Sequence, residues 1–190
     1  MKLERILPFA RTLLEKAFIP GTVAIDATLG NGHDTYFLAK LASNGGHVYG
    51  FDIQEQAIQA TKERLVAENL LERVTLIHRG HEEIKNSIPE TLKGKVTAAV
   101  FNLGYLPGGD KSIVTKPDTT ISAIEQLMEL LAVEGMIVLV IYHGHDEGAI
   151  EREQLLSYVQ ELDQQKAHVL RYQFENQKNH APFIIAIEKR

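Results

Sequence analysis

Apolar and polar positions along the chain alternate between two periods. Apolar runs of five to seven residues recur at 23–27, 48–52, 74–78, 96–101 and 136–142, bounded by glycine or polar residues, and these predict strands. Helical spacing separates them. It covers 33–42 up to Ser-Asn-Gly-Gly, and 54–70 with Ala57, Ile58, Leu65 and Val66 facing inward. A short helix is expected at 81–88 before Pro89, a longer one at 118–131 after Pro117, and a further one at 147–162. Residues 167–174 and 183–188 read as two last strands, too close for a helix between them, so an antiparallel hairpin is predicted. Strands alternating with helices give an α/β, doubly wound, mostly parallel sheet, with ligands at the carboxyl ends of the strands.

Residues 1–20 carry apolar positions at helical spacing but charges throughout, which predicts an amphipathic helix packed on the domain and not a signal peptide. No repeat, low-complexity tract or linker interrupts the pattern, so residues 1–190 are expected to form a single domain. The 44% hydrophobic and 24% charged composition is ordinary for a globular core of this size. Absence of cysteine excludes disulfides, thiolate metal sites and cysteine nucleophiles, and fits a reducing cytoplasm. The longest apolar run, 136–142, is too short to span a membrane, so no membrane partner is expected. A formal net charge of −5 argues against a general polyanion binder, yet leaves room for a local basic patch serving one nucleic acid.

Candidate chemistry begins after the first strand. The segment AIDATLGNGHDT places Asp26 at the strand end, then Gly30 and Gly32, then a helix start. A ligand can approach glycine backbone closely, and a helix N-terminus offers free N–H groups. The dinucleotide fingerprint G-x-G-x-x-G needs glycine at position 35, where this chain has Thr35, so the spacing fits NAD poorly. The second strand ends in YGFDIQ. It puts Asp52 twenty residues after Gly32, where a carboxylate can accept both hydroxyls of a ribose. A nucleoside-containing cofactor is the expectation, with an unrelated turn of an α/β domain as the plain alternative.

Asp-Ala-Thr-x-Gly-x-Gly followed by an acidic second-strand end resembles class I S-adenosylmethionine-dependent methyltransferases, although Thr28 stands where their first motif has glycine. That Rossmann-like fold has a seven-stranded sheet, a terminal antiparallel hairpin and helices on both faces. Six motifs, DATLGNGHDT, GFDIQ, HRGHEEI, FNLGYLPGGDK, YHGHDEG and NQKNHAPF, resemble more closely a small bacterial family long labelled rRNA methylases. That family is now understood as tRNA 5-aminomethyluridine methyltransferases acting on the wobble uridine. The resemblance implies S-adenosylmethionine as cofactor, held by Asp26, Thr28, Gly30, Asn31, Gly32, Asp34 and Thr35, with Asp52, Gln54, His81 and Asn102 at the next strand ends. At His81 a helix N-cap is the alternative. The implied partner is a tRNA anticodon stem-loop, and a homodimer is compatible with the reading.

Amino-group methyltransferases often carry Asp/Asn-Pro-Pro-Tyr after the fourth strand, and NLGYLP resembles it with Leu-Gly for Pro-Pro. An amine presents N–H donors, so acceptors must aim its lone pair, and the Asn102 amide oxygen and Leu103 carbonyl are the candidates. Gly104 permits close approach, Tyr105 offers a face to a base, and the segment through Gly108, Gly109, Asp110 and Lys111 reads as a mobile lid or a phosphate-binding turn. YHGHDEG supplies Tyr142 and His143 to the substrate, with His143 or His145 as proton acceptor. No third ligand at metal spacing accompanies that His-x-His pair, so no metal is expected. Lys178 in NQKNHAP suits substrate recognition as well as an ordinary turn. Competing readings are an rRNA base methyltransferase, an NAD-dependent oxidoreductase and a catalytically silent cofactor-binding partner.

Overall fold

A computed structural model describes residues 2–42, 45–110, 112–144 and 146–190. The strands are β1 (Val23–Asp26), β2 (His47–Asp52), β3 (Val74–His78), β4 (Val96–Leu103), β5 (Leu131–Ile141), β6 (Ala167–Tyr172) and β7 (Phe183–Lys189). They form one sheet in the order β3-β2-β1-β4-β5-β7-β6. The first five are parallel, and β7 runs antiparallel to β5 and β6, as the terminal hairpin requires. The helices are α1 (Ile6–Ala17), α2 (His33–Leu41), α3 (Glu55–Ala67), α4 (Ile84–Ser87), α5 (Pro117–Leu130) and α6 (Asp146–Gln160).

Central strands buried on both faces explain the near-continuous apolar runs. In β5, Ile137, Leu139 and Ile141 enter one core, while Val138 and Val140 enter the other. In β7, Phe183, Ile185 and Ile187 oppose Ile184 and Ala186 in the same way. The first face is closed by Ile84 of α4, Ala123, Ile124 and Leu127 of α5, and Leu155 of α6. The second is closed by Leu13 and Leu14 of α1, Leu38 of α2 and Leu65 of α3. The amphipathic first helix is thus part of the fold; Phe9 also stacks on Tyr172, ring centroids 4.0 Å apart. Strand order reverses at β1 and β4, and in such sheets the crevice beyond the carboxyl ends at that point receives ligands.

Three expected details of these elements change. β4 continues through Asn102 and Leu103, because β5 pairs with both, Asn102 opposite Val140 and Leu103 opposite Ile141. In α3 the buried stripe is Ala57, Thr61 and Leu65 at four-residue spacing, which leaves Val66, one position further round, 54% exposed. The segment from His81 begins as a single 3₁₀ turn, His81–Glu83, before α4.

Glu151 in α6, only 1% exposed, accepts hydrogen bonds from Thr115 Oγ1 at 2.6 Å and Thr120 Oγ1 at 2.8 Å. Thr115 Oγ1 in turn accepts from the Gly104 N–H, so α6 fixes the chain just beyond β4. Glu151→Ala is expected to lower stability by about 1–3 kcal/mol by leaving enclosed hydroxyls without an acceptor. Glu151→Gln, which keeps one acceptor, should cost less. Urea unfolding of the two variants beside wild type measures both.

Candidate active site

The carboxyl of Asp26 at the end of β1 is fully enclosed. Thr35 Oγ1 donates to its Oδ2 at 2.6 Å, and the Thr28 N–H to its Oδ1 at 3.2 Å. Desolvation, and then the charge of Asp34, push this carboxyl up to about 7. The family resemblance sets Asp26 and Thr35 against a cofactor. With no exposed surface on either, they instead pin the loop to the start of α2.

Backbone N–H groups of the loop are engaged within the protein. Leu29 N–H donates to Phe51 O, Gly30 N–H to Asp52 Oδ2 and Gly32 N–H to Leu29 O, each at 2.9 Å. Asp52 Oδ1 also accepts from the Gln54 N–H at 2.9 Å, so Asp52 shapes the loop while each of its oxygens retains a second lone pair. Gly32, at φ +72°, lies so close to α3 that a Cβ would stand 2.5 Å from Thr61 Oγ1. Thr61 and Arg64 of α3 hold the loop from below, Thr61 Oγ1 donating to Gly30 O at 3.1 Å and Arg64 Nε to Asn31 O at 3.1 Å. Sequence reasoning missed this pair; its signal is a hydroxyl and a guanidinium three residues apart on one helix face.

Asp34 and Asp52 thus flank a loop several of whose N–H groups are engaged. A pyrophosphate needs the opposite, free N–H groups and no acidic cluster. The arrangement suits a cationic ligand carrying a diol.

At the end of β4, the Asn102 N–H donates to Thr28 Oγ1 at 2.6 Å, and its Nδ2 donates to Asp34 Oδ2 at 2.6 Å. The second bond fixes the amide's sense, since an ionised carboxylate only accepts. Asn102 Oδ1 therefore faces away from Asp34 as an acceptor. Arg11 Nε lies 3.6 Å from Asp34 Oδ1 and completes a chain from α1 to β4. The Leu103 carbonyl, expected to be open to an amine, accepts the Tyr142 N–H at 3.2 Å, and its side chain is fully buried. It belongs to the sheet. Gly104 takes φ +143°, which favours glycine, and a Cβ there would stand 3.5 Å from Tyr142 Cβ.

Tyr105, 41% exposed, bridges to Val114 and closes the following loop. Leu106 of that loop packs with Leu29 and Ala57, and Asn31 Nδ2 donates to Pro107 O at 3.4 Å, so the segment folds down onto the glycine loop. Lys111 and His145 lie outside the described residues. Lys178 is exposed on the β6–β7 loop.

His81 caps no helix with its side chain; it is buried, with Nδ1 3.2 Å from Ala27 O and Nε2 3.3 Å from Thr119 Oγ1. Its pKa is lowered, chiefly by burial. Both ring nitrogens of His143 are also occupied. Nε2 donates to Ala181 O at 3.1 Å, and Nδ1 accepts from Arg152 Nη1 at 3.2 Å. Its pKa too is lowered, first by desolvation. The expectation that His143 takes up a proton gives way to a wall role, because its lone pair is committed to Arg152. Beyond it a cleft of about 320 Å³ is lined by Gln173, Gln177, Asn179 and His180. Among the described residues no group of three His, Asp or Glu side chains could hold a metal ion, and no helix is long and apolar enough to cross a membrane.

The model of a family described as "Putative rRNA methylase" matches residues 48–188. A tRNA (mnm⁵s²U34)-methyltransferase, chloroplastic, from Arabidopsis thaliana is 40% identical over 152 residues, 76% of this chain and 55% of that protein. The chain thus spans about half the length of that relative. A "putative rRNA-methylase" from Clostridium thermocellum superposes with a TM-score of 0.95 at 43% identity, covering 100% of both chains. A "putative methyltransferase" from Streptococcus mutans, in complex with SAH, gives 0.89 at 40% identity over 99% of each chain.

The Asp26 carboxyl yields a pH dependence. Its folded pKa of about 7 exceeds the ordinary 3.8, so between these values the folded chain holds a proton that the unfolded chain releases. Stability is therefore expected to fall as pH rises from about 4 to about 7, by about 4 kcal/mol from this group, and to level off above. Asp26→Asn should flatten that slope. Urea midpoints of wild type and variant across this window measure it, and equal slopes would refute the assignment.

Proposed function

We propose that this chain, which belongs to the family described as "Putative rRNA methylase", methylates the exocyclic amine of 5-aminomethyluridine at the wobble position of tRNA, with S-adenosylmethionine as donor. The product would be 5-methylaminomethyluridine, with or without 2-thiolation. The observation that carries the reaction type is the oriented Asn102 amide, an acceptor at the switch point of the sheet. The Arabidopsis relative's name supports tRNA as substrate, while the family description supports rRNA as the second reading.

The residues present fit the donor. S-adenosylmethionine supplies an electrophilic methyl on a sulfonium, and its ribose and cationic groups match the Asp34 and Asp52 carboxylates beside a loop several of whose N–H groups are already used. Asp52 keeps lone pairs for ribose hydroxyls, and Gly30 and Gly32 let the loop lie close against Leu106 and Thr61. Thr28, Asn31, Gln54 and Asp34 line the remaining turns.

Asn102 Oδ1 accepts one N–H of the incoming amine and so aims its lone pair along the transfer direction. Asp34 holds that amide, and Arg11 holds Asp34. Enclosure disfavours the ammonium form of the amine, so it reacts neutral, and the secondary ammonium formed afterwards releases the excess proton. Tyr105 offers its exposed ring as a stacking platform for a base splayed from a single-stranded loop. Tyr142 lies against Gly104, the residue before Tyr105.

Asn102→Ala is expected to lower kcat by orders of magnitude and to leave S-adenosylmethionine affinity near wild type, because an interaction made mainly in the transition state appears in kcat. Tyr105→Ala should raise the RNA KM by an amount equivalent to about 1–3 kcal/mol, with Tyr105→Phe nearly silent. Single-turnover assays on an unmethylated anticodon stem-loop measure all three. An active Asn102→Ala beside an inactive Tyr105→Phe would move the chemistry to the phenol. Mass spectrometry of nucleosides from cells lacking the gene tests the substrate. Accumulated 5-aminomethyluridine in tRNA supports the proposal, and a missing methyl in rRNA instead supports the second reading.

A further inference from the structure

We infer that the cleft between α1, α2 and α3 binds the phosphodiester backbone of the RNA, beside but separate from the methyl-transfer site. The inference rests on the reading of the substrate as RNA. The cleft, about 330 Å³, is lined by Arg11, His33, Tyr36, Phe37, Lys40 and Arg64.

Three permanent cations and a histidine meet here in a chain whose net charge is −5. A single carboxylate, Asp34, answers them, through Arg11. Among the described residues no carboxylate oxygen lies within 4.0 Å of the Lys40 or Arg64 nitrogens. Such a concentration of like charge is unfavourable without an anion and attracts one from a distance. Both arginines are also held in place. Arg64 is fixed through Nε to Asn31 O and Arg11 through Nε to Asp34, an attachment that leaves the end-on fork of each guanidinium for a phosphate. The rings are held likewise, with Lys40 Nζ 5.0 Å from the centroid of Tyr36 and the Arg11 guanidinium 5.4 Å from that of Phe37. Cations interleaved with aromatic rings are what single-stranded RNA finds favourable, through phosphate pairing and base stacking.

The cleft's position makes it useful. Arg11 and Arg64 grip Asp34 and Asn31, and Asp34 in turn holds Asn102, the residue assigned to the amine. A phosphate seated on the arginines would therefore bear on the same turn of α2 that orients the reacting strand end. An acidic peptide would use the charges but not the rings. The carboxylate of the methyl donor would use one arginine and not Lys40.

The test is fluorescence anisotropy of an unmodified anticodon stem-loop over a range of KCl concentrations, beside calorimetric titration of S-adenosylmethionine. Wild type, Lys40→Gln, Lys40→Gln/Arg64→Gln and Arg64→Lys are compared. Removing one cation that pairs with a phosphate should reduce the log–log salt slope by about one, so the double variant should lose about two and the single variant about one. Arg64→Lys, which keeps the charge, should hold the wild-type slope, and S-adenosylmethionine affinity should be unchanged in the exposed-site variant Lys40→Gln. The proposal is overturned if the double variant keeps the wild-type slope or if S-adenosylmethionine affinity falls in step with RNA affinity in Lys40→Gln. It also fails if Arg64→Lys loses as much slope as the step from Lys40→Gln to the double variant, which would mean a structural role through the loop, or if polyglutamate displaces the stem-loop at equal charge concentration. Failure of the RNA reading itself is seen separately, as wild type that neither binds nor methylates the stem-loop.

Discussion

A carboxyl group shut away from water at the end of β1 sets the geometry of everything around it. Asp26 needs two donors to be tolerated where it lies, and it takes them from Thr28 on one side and Thr35 on the other. Those two bonds draw the end of the strand and the first turn of α2 together and fix the span between them. The glycines then have one path to follow, and the Asp52 carboxylate closes it from the neighbouring strand. Thr28, placed by this bend, accepts from the Asn102 N–H with its own hydroxyl. The switch point is therefore assembled outward from a buried acid.

Charge divides the region into two territories. On the mouth of the glycine loop the partly exposed acids Asp34 and Asp52 prevail, a setting for a cation. Across α2 the arginines of α1 and α3 prevail, a setting for an anion. Asp34 belongs to both, bonded to the Asn102 amide by one oxygen and facing Arg11 with the other. Its neighbours on either side thus share a single carboxylate.

Much of this was legible in the residues. The short apolar runs bounded by glycine and polar residues marked every strand, the short gap between residues 167–174 and 183–188 marked the hairpin, and Asp52 stood in register with the first glycine loop because parallel β1 and β2 align their ends. Other features depend on partners distant in sequence. Asn102 looked like the end of a strand, since its ladder partner Val140 lies 38 positions later. His143 looked like a free base until Arg152 and Ala181 were brought to its ring. Thr61 and Arg64 read as an outer helix face, and only the tight approach of Gly32 turns that face inward. Glu151, an acid within a surface-type pattern, gave no sign that two threonine hydroxyls would enclose it.

The position of β7 has a consequence for how the molecule is made. It lies between β5 and β6 although it follows both in the chain. During synthesis on the ribosome, β5 therefore waits with its outer rim unpaired, Ile137 to Ile141 among its residues, until the last strand emerges. β6 has no place to dock before then. Long-range pairing of this kind slows assembly and leaves an adhesive edge open to other chains meanwhile. Nascent chains stalled before residue 183 should accordingly be the species that chaperones hold, with the β5 rim still waiting for its partner.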